Sequence, residues 1–312
     1  MLRPLLLGAL VLAGCHPSTS DGVTGGPSDA VTGAGGSAPV VVTPPATTSS
    51  GGSAGAPPGA VDCEGVGGEI YAVTEDATFL RFLPPTRTFE ALGTLQCTGV
   101  KAGVYSMAVD RAGQATVLFQ DGQLRRVSPA DLSCQKVAYE PKQKGWQVFG
   151  MAYAATAGAT ESLFVADATR TLLLLPGFEN GLGRLTSTTL RLSTIGAFDG
   201  DLYGRLAELT GRGDGRLFAF FVQEPSIAEI DPATAHVLSN TPLPVPAPTA
   251  WAFAHWGGAF YVFAAPGSST SRLYRHRPGG EAATLLLDTG YRVVGAGVST
   301  CAPLDDGGTV AD

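Results

Sequence analysis

The sequence predicts an all-β domain, a β-propeller of five blades with four antiparallel strands each. One strand-and-turn outline recurs along the chain at intervals of roughly 43–54 residues, the spacing expected of propeller blades. The clearest copy is residues 106–134, where apolar runs alternate with turns that contain Gly, Asp-Gly or Pro, as in a small antiparallel meander. Alternation of aromatic and β-branched residues, as in residues 216–222, also favours strands over helices.

Two residues mark each copy, a Gly before the second strand and a Pro in the turn after the third. Gly provides the positive φ of a tight hairpin, and Pro presets φ for the next turn. A fifth, looser copy surrounds Glu161. The other four marker pairs, each 16 to 20 residues apart, are Gly68 and Pro85, Gly113 and Pro129, Gly215 and Pro232, and Gly258 and Pro278.

The two ends of the domain complete each other. Residues 69–94 lack a first strand, whereas residues 294–300 resemble a first strand that no second strand follows. We therefore expect the C-terminal strand to join the N-terminal blade and close the ring; a parallel solenoid is the alternative, but it would leave both ends uncapped. The expected first strands are rich in small residues, which suits strands crowded around an axis, and they begin at Tyr105, Phe149, Ala207, Trp251 and Val294.

The N-terminus reads as an export signal, residues 1–14, with Arg3 before a short apolar run that is too short to span a bilayer. Residues 12–15, Leu-Ala-Gly-Cys, resemble the lipobox of bacterial lipoproteins, which implies a lipid on Cys15. An ordinary signal peptide with a chance Cys is the alternative. By the same resemblance, His16 rather than Asp after the Cys favours the outer membrane, so we expect a cell-envelope lipoprotein that faces the periplasm or the cell surface.

By composition, the rest of the chain divides into a tether, the propeller and a tail. Residues 15–60 are mostly Gly, Ser, Thr, Pro, Ala and Val and cannot bury enough apolar surface to order themselves, so we predict a disordered tether. The propeller occupies residues 61–303, and residues 304–312 form a disordered tail.

The net charge of −7 and the lack of a basic patch with interleaved aromatics argue against nucleic acid as a partner. We expect a monomer.

The domain is similar to five-bladed β-propellers in general. Its segments SMAVDR, FGMAY, AELTGRGDGRLF, AWAFAHWGGAFY and VGAGVSTCAP more closely resemble those of exported propeller-type lipoproteins of Gram-negative soil bacteria. This resemblance implies the fold and the location, but it implies no activity.

Motifs for chemistry are scarce. The chain has four histidines without ligand spacing, and it lacks GxSxG, HExxH and Walker-type sequences. Asp199-Gly200-Asp201 lacks the rest of a calcium-binding loop. We therefore expect no metal and no cofactor.

The candidate site is the axial face, where propellers commonly bind ligands. It would make the protein a binding module for an unknown glycan, peptide or protein rather than an enzyme. A glycosidase-like enzyme with Asp110 and Glu208 as its carboxylates, or a purely structural surface protein, are the alternatives. Asp110 is equally explained as a turn residue. The aromatic candidates are equally explained as side chains that pack in the core or between blades. The candidate residues are Tyr105, Asp110, Glu208, Trp251, His255 and Trp256.

Four cysteines fall in the domain, and disulfides persist in exported proteins. Three pairings are possible. The repeat alignment favours Cys63 with Cys301, because both would lie at the missing first hairpin of the N-terminal blade. Cys97 then pairs with Cys134, near the outer strands of adjacent blades.

Overall fold

The computed structural model describes residues 63–156, 160–169, 181–280 and 282–305. Twenty strands in these residues form five antiparallel sheets of four strands each, accompanied by two short 3₁₀ turns, Gln143–Gly145 and Gly200–Leu202. The expected signal peptide (residues 1–14), Cys15, the tether (15–60) and the tail beyond residue 305 lie outside the described residues.

Each sheet is one blade, and its strands are named in order from the innermost to the outermost. Blade 1 contains β20 (Val293–Gly297), β1 (Ile70–Thr74), β2 (Thr78–Leu83) and β3 (Thr88–Thr94). Blade 2 contains β4 (Val104–Val109), β5 (Ala115–Phe119), β6 (Leu124–Val127) and β7 (Cys134–Lys136). Blade 3 contains β8 (Phe149–Ala155), β9 (Glu161–Asp167), β10 (Leu182–Leu185) and β11 (Leu192–Gly196). Blade 4 contains β12 (Ala207–Gly211), β13 (Leu217–Phe221), β14 (Ser226–Ile230) and β15 (Val237–Pro242). Blade 5 contains β16 (Ala250–Trp256), β17 (Ala259–Ala265), β18 (Arg272–His276) and β19 (Thr284–Asp288).

Blade 1 closes the ring. Its innermost strand β20 comes from the C-terminal end of the domain and pairs antiparallel with β1, with Ala72 opposite Ala296 and Tyr71 opposite Gly297. The predicted fold class, a five-bladed propeller closed by the C-terminal strand, is therefore confirmed.

The five innermost strands run parallel to one another around the axis. They contact each other in the order β4, β8, β12, β16, β20 and back to β4. The approach is so close that a Cβ on Gly211 of β12 would lie 2.2 Å from the Tyr153 carbonyl oxygen of β8, and one on Gly297 of β20 would lie 2.8 Å from the Val109 nitrogen of β4. The void left at the axis is only about 10 Å³, at most one water molecule. The axis is therefore packed, and the small residues of the first strands are what permits this.

The ring has two faces, which we name by the innermost strands: the upper face is where these strands begin, and the lower face is where they end. The first hairpin of each blade lies on the lower face. In blade 2 the Gly113 N–H donates to the Asp110 carbonyl at 2.9 Å, with Gly113 at φ +77°. The marker glycine thus takes the left-handed conformation for which Gly is suited.

Side chains between neighbouring blades form the core. Trp146, Phe149, Phe220 and Phe253 are fully buried and belong to one cluster that spans blades 2 to 5. Burying each such side chain contributes roughly 2–3 kcal/mol. The outermost strands, by contrast, are mostly exposed, so the inner and middle strands hold the blades together.

Two disulfides are present, and they agree with the predicted pairing. Cys63 and Cys301 lie on the lower face with their Cα atoms 5.3 Å apart. Cys97, which follows β3, is bonded to Cys134, the first residue of β7, also at a Cα distance of 5.3 Å. The first bond joins the two ends of the domain, and the second joins the outer parts of blades 1 and 2.

Candidate functional site

Two of the predicted aromatic residues meet on the upper face near the axis. Tyr105 is the second residue of β4 and Trp251 is the second residue of β16, and β20 lies between these strands in the ring. With Gln120, Arg292 and Glu75 they line a depression of about 210 Å³, which we call the aromatic depression. The other lining residues are Val104, Thr249, Ala250 and Val294.

Two irregularities in strand pairing lie at this depression. Opposite β5, the register of β4 passes from Val104 to Ser106 and leaves Tyr105 as an extra residue. Opposite β1, the register of β20 passes from Val293 to Gly295 and leaves Val294 as an extra residue in the same way. Bulges of this kind re-aim side chains and are over-represented beside active sites. Both bulged residues line the one depression.

Packing fixes the two aromatic rings. Tyr105 and Trp251 are each half-buried, and both pack against the hydrophobic cluster that spans blades 2 to 5. Burial raises the pKa of the Tyr105 hydroxyl well above its ordinary value. The hydroxyl therefore stays protonated and can donate a hydrogen bond at any physiological pH.

Arg292 and Glu75 form the polar side of the depression. The Arg292 Nε donates to Glu75 Oε2 at 3.0 Å, Nη1 donates to the Ser269 carbonyl at 3.0 Å, and Nη2 donates to Thr249 Oγ1 at 3.1 Å. These bonds hold the planar guanidinium in one orientation. Sequence reasoning missed this pair, although the ring closure contains the signal: Thr74 pairs with Val293, which places Glu75 and Arg292 side by side.

Gln120 completes the lining from blade 2. Its backbone N–H donates to the Gly103 carbonyl at 2.9 Å, and its backbone carbonyl accepts from the Gln147 side chain at 2.7 Å. Its side-chain amide lies close over Gly103, where an added Cβ would come within 3.1 Å of it. The residue is exposed, so its amide can donate to and accept from a ligand.

Glu208 lies in the axis, next to the strand that carries Tyr105. Its Oε1 accepts from Ser106 Oγ of β4 at 2.8 Å and from the Met151 N–H of β8 at 2.9 Å, so this carboxyl links blades 2, 3 and 4. Burial raises the pKa of Glu208 to about 8, although the hydrogen bonds from Met151 and Ser106 oppose the rise. At neutral pH the group is therefore mostly a neutral acid.

Asp110 lies on the lower face. Its Oδ1 accepts from the Gln114 N–H at 2.9 Å, and its Oδ2 pairs with Arg126. Burial raises its pKa, against the lowering effects of the Gln114 hydrogen bond and the Arg126 charge. Asp110 thus caps its own hairpin, one of the two roles that the sequence allowed.

His255 and Trp256, at the end of β16, also lie toward the lower face. The Trp256 indole N–H donates to the Gly67 carbonyl at 2.9 Å, so this side chain holds the N-terminal segment. The His255 ring packs between Phe218 and Phe260, and burial lowers its pKa to about 4. The structure therefore brings Tyr105 and Trp251 into one depression, places Glu208 in the axis outside the lining of that depression, and places the other three candidates elsewhere.

Two larger depressions lie outside this site. One of about 410 Å³ lies on the lower side between blades 1 and 2, and its aromatic residue, Tyr71, donates its hydroxyl to Glu69 at 2.6 Å. One of about 320 Å³ lies at the edge of blade 4, where Phe221 is 1% exposed. Neither offers two accessible rings, so the aromatic depression is the better candidate.

The described residues contain no group of three or more His, Cys, Asp or Glu side chains placed to hold a metal ion. Asp199, which the sequence sets beside Gly200 and Asp201, accepts from the Val237 N–H at 2.9 Å and also pairs with His236. No helix in the same part of the chain is long and apolar enough to cross a membrane.

Comparison with known proteins finds no matching family model and no matching curated protein. Among solved structures, the chain is similar to streptogramin B lyase, with 15% identity and a TM-score of 0.41 over 72% of this chain and 67% of that chain. It is also similar to the extracellular domain of a putative one-component system from B. thetaiotaomicron, with 16% identity and a TM-score of 0.38 over 72% of this chain and 30% of the other. At such identities neither match assigns a ligand or a reaction to this chain.

Proposed function

We propose that this protein is an exported, lipid-anchored binding module whose ligand occupies the aromatic depression. The observation that carries the proposal is the convergence of two bulged strands and Trp251 on one accessible depression near the axis. A concave site with a few fixed polar groups is the usual form of a ligand site.

A mixed array of oligosaccharides and peptides, probed with the full-length Cys15→Ser protein, tests the binding function. We expect binding to at least one probe class, and loss of that binding in Trp251→Ala. Tyr203, which is 52% exposed and outside the depression, provides the matched aromatic control, Tyr203→Ala. Binding that survives Trp251→Ala would place the ligand site elsewhere.

The anchor itself gives a separate prediction. Acyl chains contribute roughly 0.8 kcal/mol for each buried CH₂ group, so a multiply acylated Cys15 binds a membrane stably. We expect Cys15→Ser to move the protein from the membrane fraction to the soluble fraction after cell lysis, as judged by immunoblotting. Unchanged membrane retention of this variant would exclude the lipid anchor.

The geometry disfavours the glycosidase alternative. Catalytic carboxyl pairs of glycosidases lie about 5–9.5 Å apart. Glu208 contacts Ser106 of β4, whereas Asp110 directly follows the end of β4, four residues beyond Ser106. The backbone between Ser106 and Asp110 spans on the order of 13 Å at about 3.3 Å per residue.

We therefore expect no turnover of polysaccharide or ester substrates by the purified protein. Chromatography of the products after prolonged incubation is the measurement, with Asp110→Asn and Glu208→Gln as comparisons. Robust turnover that disappears in either variant would replace the binding function with an enzymatic one.

A further inference from the structure

The charges in the aromatic depression cancel. Arg292 and Glu75 lie 3.0 Å apart, and the other lining residues, Gln120, Thr249 and the two aromatics among them, are uncharged. An anionic ligand near Arg292 would meet the repulsion of Glu75, and a cationic ligand near Glu75 would meet that of Arg292. The electrostatics thus favour a neutral ligand.

The apolar surface favours a flat, rigid group. The half-buried side chains of Trp251 and Tyr105 line the depression together with the apolar side chains of Val104, Ala250 and Val294. The volume of about 210 Å³ is below the roughly 300–1,000 Å³ of sites that enclose a drug-sized ligand. A single six-membered ring fits this description, and a rigid ring loses little conformational entropy on binding.

The polar groups favour hydroxyls. Three of the five Arg292 N–H donors are used in the bonds to Glu75, Ser269 and Thr249, which leaves two in a fixed plane. The exposed Gln120 amide both donates and accepts. Neighbouring hydroxyl groups on a ligand, each a donor and an acceptor, can bond to the planar side chains of Arg292 and Gln120.

We propose that the aromatic depression binds a neutral pyranose unit of a glycan, with the C–H face of the sugar ring stacked on Trp251 and its hydroxyls bonded by Gln120 and Arg292. This proposal rests on the binding function proposed above. It adds the chemical class of the ligand and the residues that select it.

A proline-rich peptide is the principal competitor, because such peptides also dock on aromatic residues. Those peptides lie in extended grooves and insert successive prolines between several aromatic side chains. In this protein two rings share one small depression, and the polar groups stand beside them rather than along a groove. The observations therefore favour the sugar.

Calorimetric titration of the full-length Cys15→Ser protein tests the ligand class with four probe sets. These are neutral hexose and N-acetylhexosamine oligosaccharides, matched oligosaccharides with a uronic acid, matched oligosaccharides with a free amine, and proline-rich peptides. We expect the neutral sugars to bind best, with an affinity that changes less than twofold between low and high salt, since no net charge is neutralised.

Variants assign the contacts. We expect Trp251→Ala to weaken neutral-sugar binding at least tenfold, as for a buried aromatic anchor. Gln120→Ala should weaken it about two- to tenfold through one lost neutral hydrogen bond, and it leaves the backbone bonds of Gln120 intact. Tyr203→Ala should bind like the parent, and melting temperatures verify that each variant is folded.

The outcomes separate the two proposals. Peptide or charged-sugar binding that is lost in Trp251→Ala would overturn the neutral pyranose and keep the binding function. Neutral-sugar binding that is unchanged in Trp251→Ala and Gln120→Ala would also overturn it. An absence of binding to all four probe sets would overturn both proposals.

Discussion

Replacing Cys63 and Cys301 together by Ser is expected to lower the melting temperature by up to roughly 10–20 °C. The bond joins residues 238 positions apart, and in the chain-entropy model a loop of this length contributes roughly 5 kcal/mol, an upper-end figure. For a domain of this size each kcal/mol shifts the melting temperature by about 2–4 °C. The measurement is a thermal melt followed by circular dichroism, with the intact protein under reducing conditions as a second comparison.

The Cys97→Ser/Cys134→Ser variant is the matched control. Its loop spans 37 positions and contributes roughly 4 kcal/mol in the same model. Position in the fold widens the difference. β20 and β1 pair without a hairpin between them, and the Cys63–Cys301 disulfide is the covalent link that takes the hairpin's place. A control that melts at or below the temperature of the Cys63/Cys301 variant would contradict a role of that bond in closing the ring.

The fold was predictable because its determinants are local and repeated. A positive φ at a hairpin, as at Gly113, requires Gly whatever the rest of the chain does. The same turn residues recur in several copies of the repeat, so each copy independently predicts the same blade structure. Closure followed from counting strands, and the pairing of Cys63 with Cys301 followed from closure.

The site was predicted only in part, because it depends on the pairing register of the strands and on the position of each residue along the propeller axis. Tyr105 lies near the start of β4 and Asp110 directly follows its end, so the two residues reach opposite faces of the ring. Sequence position near the axis did not distinguish the two faces. The bulges that turn Tyr105 and Val294 into the depression are one-residue shifts in pairing, which propensity does not reveal.

Glu208 shows a different limit of sequence reasoning. The sequence places a carboxyl on an innermost strand, and such a group reads equally as a catalytic acid or as a ligand contact. The hydrogen bonds from Ser106 and Met151 come from two other blades. Only the assembled ring shows that this carboxyl is enclosed and is therefore mostly protonated.

We expect Glu208→Gln to remove much of the pH dependence of stability between pH 5 and pH 9. The folded-state pKa of about 8 lies above the ordinary value near 4.3 of an unfolded chain. Between these values the folded protein holds a proton that the unfolded chain has lost, so stability is full at acidic pH and falls as pH rises toward 8. Between pH 5 and pH 9 this difference in pKa corresponds to a loss on the order of 4 kcal/mol. Gln keeps the acceptor oxygen of the neutral acid but cannot ionise.

Melting temperatures of both proteins at intervals from pH 5 to pH 9 measure the effect. The parent should melt close to Glu208→Gln near pH 5 and progressively below it toward pH 9, because ionised Glu208 is buried without a counter-charge bonded to it. Buried Asp110 and half-buried Glu161 also have raised pKa values and act in the same direction, but they are common to both proteins and cancel in the difference. Glu224→Gln, which removes a carboxylate whose side chain is 81% exposed, should follow the parent at every pH. Parallel curves for the parent and Glu208→Gln would mean that Glu208 is ionised in the folded protein and that its charge is stabilised at the axis.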